Sequence, residues 1–233
     1  MTSIEFFVII YKTVKRFYKR FMKIEYLGHS CFLIDGSFSV VTDPFNNIGY
    51  DMRRVSADYC LLSHSHFDHS ASQFVSGAKV VSSLADVASA KDISLSATVT
   101  FHDAFCGAKR GKNLVYKFVI DDICFCHTGD LGEDYSDATA DAIGGCDVLM
   151  IPVGGNYTID YRTAKRFADR ISPALFVPMH FKTPRSTIDI DGSENFRSLF
   201  GTVVNAGKSY EFDTNTLKSL DKGTLLIFDV KDY

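Results

Sequence analysis

The sequence predicts an α/β fold in which two β-sheets pack face to face with helices on the outside. Three observations point there. Short apolar or alternating runs bounded by turn residues crowd both ends of the chain, while strands and helices alternate through its middle. No linker, internal repeat or low-complexity tract interrupts residues 22–233. The 233 residues, 46% hydrophobic and 23% charged, suffice for one large core, and no apolar run is long enough to span a bilayer.

The elements follow in chain order. Residues 23–27, 31–35 and 38–42 read as strands, with Asp35-Gly36-Ser37 turning the second into the third. A strand at 59–63 is followed by a helix near 70–76, a strand at 79–81 and a helix at 84–90. Residues 98–102, 114–120 and 123–127 are further strands, the last two joined at Asp121-Asp122. Strands at 147–151 and 174–178 flank a helix at 161–170. Runs at 203–205, 210–212 and 225–228 close the chain.

Residues 1–21 form a separate N-terminal extension. On a helix, Phe6, Ile10, Val14, Phe17 and Phe21 share one face, and Lys12, Lys15, Arg16, Lys19 and Arg20 gather on the other. Residues 1–23 carry six Lys/Arg against one Glu; the remainder carries 19 basic and 27 acidic residues. Such a basic amphipathic helix packs on the domain, joins a second copy in a homo-oligomer, or makes peripheral contact with an anionic membrane surface. Alternatively, translation starts at Met22, which opens the first strand directly. The acidic body argues against nucleic acid, whose phosphates need a basic track. Six cysteines without a Cys-x-x-Cys, and no secretory signal, lead to an expected cytoplasmic location.

The chemistry is concentrated in Leu61-Leu62-Ser63-His64-Ser65-His66-Phe67-Asp68-His69, which follows an apolar strand. His64 and His66, two apart at a strand end, can aim at one cation. Asp68 and His69, further round the turn, can serve a second. No turn or packing requirement favours His-x-His-x-Asp-His, and neutral imidazole and carboxylate are ligands for zinc, manganese and iron. Three more residues at strand ends, His102, Asp130 and His180, could converge on the same rim.

His-x-His-x-Asp-His after an apolar strand resembles the signature of the metallo-β-lactamase fold hydrolases, and the match extends from Met22 onward. Tyr26-Leu27-Gly28-His29-Ser30 is similar to that family's opening strand and turn, Thr42-Asp43-Pro44-Phe45 to its first motif, and Thr128-Gly129-Asp130 to its bridging-aspartate motif. Pro152-Val153-Gly154-Gly155-Asn156-Tyr157-Thr158 and Pro178-Met179-His180-Phe181 resemble the closing segments of one branch. That branch holds small metal-dependent hydrolases related to ascorbate-6-phosphate lactonase and, more distantly, to N-acyl-phosphatidylethanolamine phospholipases.

The resemblance implies the four-layer αββα sandwich and two divalent ions, zinc first, with manganese or iron as alternatives. His64, His66 and His102 would hold one ion, and Asp68, His69 and His180 the other, with Asp130 bridging. His127, three before Asp130, competes with His102. The resemblance favours His102, leaving His127 to fix Asp130 or touch substrate. His29 is expected beside the site as a donor to substrate or an anion, and Asp43 behind the ligand loop. Asn156, Tyr157, Thr158, Lys182, Thr183 and Arg185 could line the pocket, the two cations suggesting an anionic substrate group.

The implied activity is hydrolysis of a small ester-like bond, a lactone or carboxylic ester, by a metal-bridging hydroxide, with Asp68 orienting it and shuttling its proton. A phosphodiesterase of the same fold is the alternative. No cysteine occupies a ligand position, which points away from antibiotic hydrolysis. Outside the enzyme class stand a metal-binding protein without turnover and a membrane-surface module built on residues 1–21.

Overall fold

The computed structural model describes residues 21–232. The expectations for residues 1–21 fall outside it except at Phe21. Antiparallel β1 (Met22–Gly28), β2 (Cys31–Asp35) and β3 (Ser39–Thr42) open the chain. Val55–Ser56 (β4) precedes β5 (Tyr59–Leu61), which lies parallel to β3, and β6 (Val75–Ser76) and β7 (Lys79–Val81) follow. After helix α1 (Leu84–Ser89) come the long strands β8 (Ser94–Phe101), β9 (Lys112–Ile120) and β10 (Ile123–His127). Helix α2 (Asp137–Ile143), β11 (Val148–Pro152), α3 (Tyr161–Ile171) and β12 (Leu175–Met179) form the alternating part. The tail holds α4 (Glu194–Arg197), β13 (Val203–Asn205), β14 (Ser209–Phe212), α5 (Thr214–Ser219) and β15 (Thr224–Ile227).

Two sheets result, a six-stranded one ordered β14-β1-β2-β3-β5-β7 and a seven-stranded one ordered β13-β15-β12-β11-β10-β9-β8. Their facing sides interleave Ile24, Phe32, Ile34, Phe118, Phe125 and Phe212, all essentially without solvent exposure. The Phe118 and Phe125 rings stack 5.4 Å apart, and Phe125 reaches Phe212 in the other sheet at 6.3 Å. Strands β11 and β12 are buried along their whole length, as parallel strands covered on both faces must be. Helix α3 covers one outer face with Ala164, Phe167 and Ala168. Its start is capped by Asp160, which accepts from the Thr163 N–H, and it stops at Ser172 in the left-handed region.

Strand direction positions the site. Strands β1, β3 and β5 of one sheet share a direction, and so do β8, β10, β11 and β12 of the other. The residues that follow them, His29, Asp43, the 63–69 turn, His102, Asp130 and His180, therefore emerge on one rim.

The local differences from the sequence reading have physical causes. The helix expected near 70–76 is one 3-10 turn, Ser72–Phe74, because Val75 and Ser76 pair in parallel with Val55 and Ser56. The strand expected at 59–63 ends at Leu61, since Ser63 turns to bond Asp43. Strand β8 begins four residues before the expected 98, because Ser94 to Phe101 pair continuously with β9. Helix α2 went unread although Ser136 caps it by accepting from Thr139 N–H at 3.0 Å.

Candidate metal centre

Asp43 follows β3 in the left-handed region (φ 37°), fully buried, and organises the 63–69 turn from behind. It accepts from Ser63 N–H at 2.7 Å, from Ser63 Oγ at 2.6 Å and from His69 Nδ1 at 2.9 Å. Because a carboxylate only accepts, His69 carries its proton on Nδ1 and presents the Nε2 lone pair forward. That Nε2 lies 3.1 Å from Asp130 Oδ2 and 3.8 Å from Asp68 Oδ2. The Ser63 hydroxyl also meets His64 Nδ1 at 2.9 Å, leaving His64 Nε2 facing His66 Nδ1 at 3.0 Å.

Asp130 stands at the centre. Its Oδ2 is 3.1 Å from His102 Nε2, 3.3 Å from His180 Nε2 and 3.8 Å from His64 Nε2. Asn113 holds the turn below it, accepting from Asp130 N–H at 2.9 Å and donating to Thr100 Oγ1 and Thr128 O. Gly129 makes this turn possible: its φ is +54°, and a Cβ would lie 2.3 Å from Asn113 Oδ1 and 2.5 Å from Ser63 Cβ. Gly129→Ala is expected to cost about 2 kcal/mol or more, roughly 5 °C in Tm, and to lower metal content by displacing Asp130. Thermal melting with elemental analysis checks this, and unchanged values for both would refute it.

Two clusters emerge, joined by Asp130. The ligand atoms of His64, His66 and His102 lie within 4.8 Å of one another, as do those of His29, Asp68, His69 and His180; His64, His69 and Asp130 form a third such group between them. Inside the clusters, His29 Nε2, His69 Nε2 and Asp130 Oδ1 are buried without a hydrogen-bond partner among the described residues. Buried polar atoms without partners are costly unless something binds them. This all-nitrogen-and-oxygen donor set fits divalent cations such as zinc, manganese or iron.

Electrostatics agree. Burial, with the nearby His69 charge, pushes His64 down to about 3, and burial with His180 pushes His29 down to about 4, so both rings are neutral near pH 7. Burial opposes ionisation of Asp130, yet His180 and His69 hold it well below the usual carboxylate range. Burial likewise opposes charging His69, but Asp130 and Asp43 raise it well above its ordinary value, so those carboxylates favour positive charge at Nε2, where a cation would take the place of a proton.

The other expected residues divide. His29, left-handed at φ 54°, places Nε2 3.4 Å from Asp68 Oδ2 and its ring 4.4 Å from that of His180. His127 points between the sheets: Nε2 donates to Ser30 O at 2.8 Å, and Nδ1 accepts from Gly129 N–H. A cavity of about 530 Å³ opens over the clusters, bordered by Asn156 and Tyr157 but not by Lys182, Thr183 or Arg185. Lys182 Nζ instead donates to Ile188 O at 2.7 Å, and Arg185 reaches Asp232 O over the Tyr50 ring. Thr158 Oγ1 donates to Gly155 O within its own turn. The cation at the cavity is Arg110, which sequence reasoning missed, as it missed Asn113. A buried asparagine within the apolar run 113–120 was the available signal for the latter.

Comparison with known proteins places this geometry. The family model for the beta-lactamase superfamily domain matches residues 23–180. The chain belongs to the metallo-β-lactamase superfamily. A UPF0173 metal-dependent hydrolase of Carboxydothermus hydrogenoformans is 28% identical, with 78% of this chain and 95% of the relative covered. A UPF0173 protein of Pyrococcus abyssi is 30% identical, with 70% and 84% covered. Among solved structures, a candidate Zn-dependent hydrolase of the superfamily from Thermotoga maritima superposes with TM-score 0.71 at 30% identity, covering 89% of this chain and 98% of that one. Igni18, a metallo hydrolase of Ignicoccus hospitalis, shares the fold with TM-score 0.59 at 20% identity, covering 83% and 99%. The enzyme class follows: a metal-dependent hydrolase of the metallo-β-lactamase superfamily.

Proposed function

We propose that this superfamily member hydrolyses a small ester-like bond, a lactone or carboxylic ester, at a centre of two divalent cations, zinc first. The observation that carries this is the pair of clusters sharing Asp130. His64, His66 and His102 would hold one cation, and Asp68, His69 and His180 the other. When bound, the cations supply Lewis acidity toward the substrate oxygen and a water of lowered pKa.

The chain's own residues do the rest. Asp43 keeps the His69 proton on Nδ1. Asp68, bordering the cavity and partly exposed, takes up a proton and hands it to the leaving oxygen. His29 Nε2 faces Asp68 Oδ2 at 3.4 Å and orients that carboxylate during the transfer. His127 acts as a brace, tying the turn before Asp130 to Ser30 O across the sheets. The lactone-or-ester preference rests on the resemblance of the Gly154-Gly155-Asn156 and Met179-His180 segments to the lactonase-like branch. Six unpaired cysteines support a reducing, cytoplasmic setting. Among the described residues no helix is long and apolar enough to cross a membrane.

Elemental analysis of the wild type, His102→Ala and His127→Ala, paired with a panel of lactones, carboxylic esters and phosphodiesters, tests the assignment. Two ions per chain are expected in the wild type, about one in His102→Ala, and two in His127→Ala. Turnover of phosphodiesters alone would replace the ester reading, and one ion in the wild type would end the two-cation mechanism.

A further inference from the structure

The loop 102–111, between β8 and β9, is wound around one buried carboxylate. Asp103 Oδ1 accepts from Phe105 N–H at 2.8 Å and Gly107 N–H at 3.0 Å, and Oδ2 from Lys109 N–H at 3.0 Å and Arg110 N–H at 2.7 Å. His102 N–H to Gly111 O and Gly111 N–H to Gly107 O close the loop. Four backbone donors on a side chain only 2% exposed make a rigid mount for the next side chain, that of Arg110.

From that mount the Arg110 guanidinium lies 3.8 Å over the ring of Tyr157, a residue held at φ 85° in the loop after β11. Two loops that border the cavity thus meet in one cation–π stack. Stacking uses the guanidinium face and leaves its N–H edge free. Among the described residues no carboxylate forms an ion pair with Arg110, whereas Arg53 and Arg170 have such partners. A fixed, unneutralised fork of donors suits a carboxylate or phosphate.

Its location identifies whose anion that is. Arg110 borders the 530 Å³ cavity over the clusters and also a second cavity of about 620 Å³. The second runs between α1 and β8 and is walled by Leu84, Val99 and the serines 82 and 83; His66 also borders both. Arg110 and His66 therefore stand where the two cavities adjoin.

We infer that Arg110 is the anion-recognising residue of this enzyme, and that the substrate is an extended ester bearing a carboxylate or phosphate group a short tether from the scissile bond. The inference rests on the hydrolase reading for the identity of the scissile bond, but its test reads binding. Zinc-loaded protein is titrated calorimetrically with butyrate, then with succinate, glutarate and adipate, and with 3-phosphonopropionate. Each probe offers one carboxylate to the metal centre, and all but butyrate add a tethered second anion, so the phosphonate arm separates phosphate from carboxylate recognition.

At least one tethered dianion is expected to bind about tenfold more tightly than butyrate or better. Arg110→Ala should erase that increment while leaving butyrate binding, zinc content and Tm unchanged. Arg110→Lys should restore only part of it, since a point charge lacks the fork. Arg110→Gln, closer in size, serves if the alanine variant misfolds. No increment in the wild type, or an increment that survives in either neutral variant, overturns the proposal. If the increment is present but no ester, lactone or phosphodiester is turned over, the hydrolysis reading fails and the anion site stands.

Discussion

Asp130→Ala is expected to lower bound metal from two ions per chain to one or none and to reduce kcat/KM by about 10³-fold or more, because the Lewis-acid contribution is worth several kcal/mol. Among the described residues the Asp130 side chain is the one carboxylate within 4 Å of His64, His69, His102 and His180 together. Without it, two cations in adjoining clusters would repel with no anion between them. Elemental analysis and steady-state kinetics on the same preparation decide the matter. Two ions retained with full activity would remove Asp130 from the centre.

Asp43 carries the second large effect, and two substitutions separate its roles. Asp43→Ala strands Ser63 N–H, Ser63 Oγ and His69 Nδ1–H in a buried site, costing about 3–5 kcal/mol, or roughly 10 °C in Tm. Asp43→Asn keeps the shape and the Oδ1 acceptor for Ser63 N–H. Its amide, however, would donate to His69 Nδ1 and move the ring proton to Nε2. That variant is expected to stay close to wild-type Tm while losing zinc affinity by about 10–100-fold. Melting curves and competitive zinc titration measure the two effects. Unchanged zinc affinity in Asp43→Asn would show that the His69 tautomer is not set from behind.

The contrast between His102 and His127 shows where local information runs out. Both stand at strand ends in parallel directions, and spacing alone leaves either able to reach the cations. Strand phase separates them. His127 is in step with Ile123 and Phe125, which face the opposite sheet, so its ring joins Phe32 at 6.3 Å and bonds Ser30 O. His102 lies one residue beyond β8, where the chain has left the pleat and its ring can turn to Asp130. Lys182 and Arg185 teach the same lesson: their nearness in sequence to His180 says nothing of direction, and both turn to backbone carbonyls elsewhere.

The backbone gives a further measure. His29, Asp43, Asn156, Tyr157 and His180 all adopt positive φ, half of the non-glycine residues that do so among those described. Strain concentrated there is consistent with side chains held in place by surrounding contacts rather than by local preference. Asn, Asp and His enter this region more readily than other non-glycine residues, so Tyr157 at φ 85° is the least expected of the five.

Local chemistry was enough to single out the run 64–69, the glycine turn before Asp130 and the alternation of strands and helices, and the resemblance carried by those motifs gave the metal-hydrolase class. These depend on residues within a few positions of one another, where ligand type, turn geometry and hydrophobic period act directly. The direction of the His127 ring, the Asn113 support beneath Asp130 and the Arg110–Tyr157 bridge came from packing. Each pairs groups at least 17 residues apart, across strands, loops or sheets, whereas the Asp103 loop closes over two to seven residues. Their meeting depends on strand register and on the common rim of the two sheets, and register is a property of the assembled core.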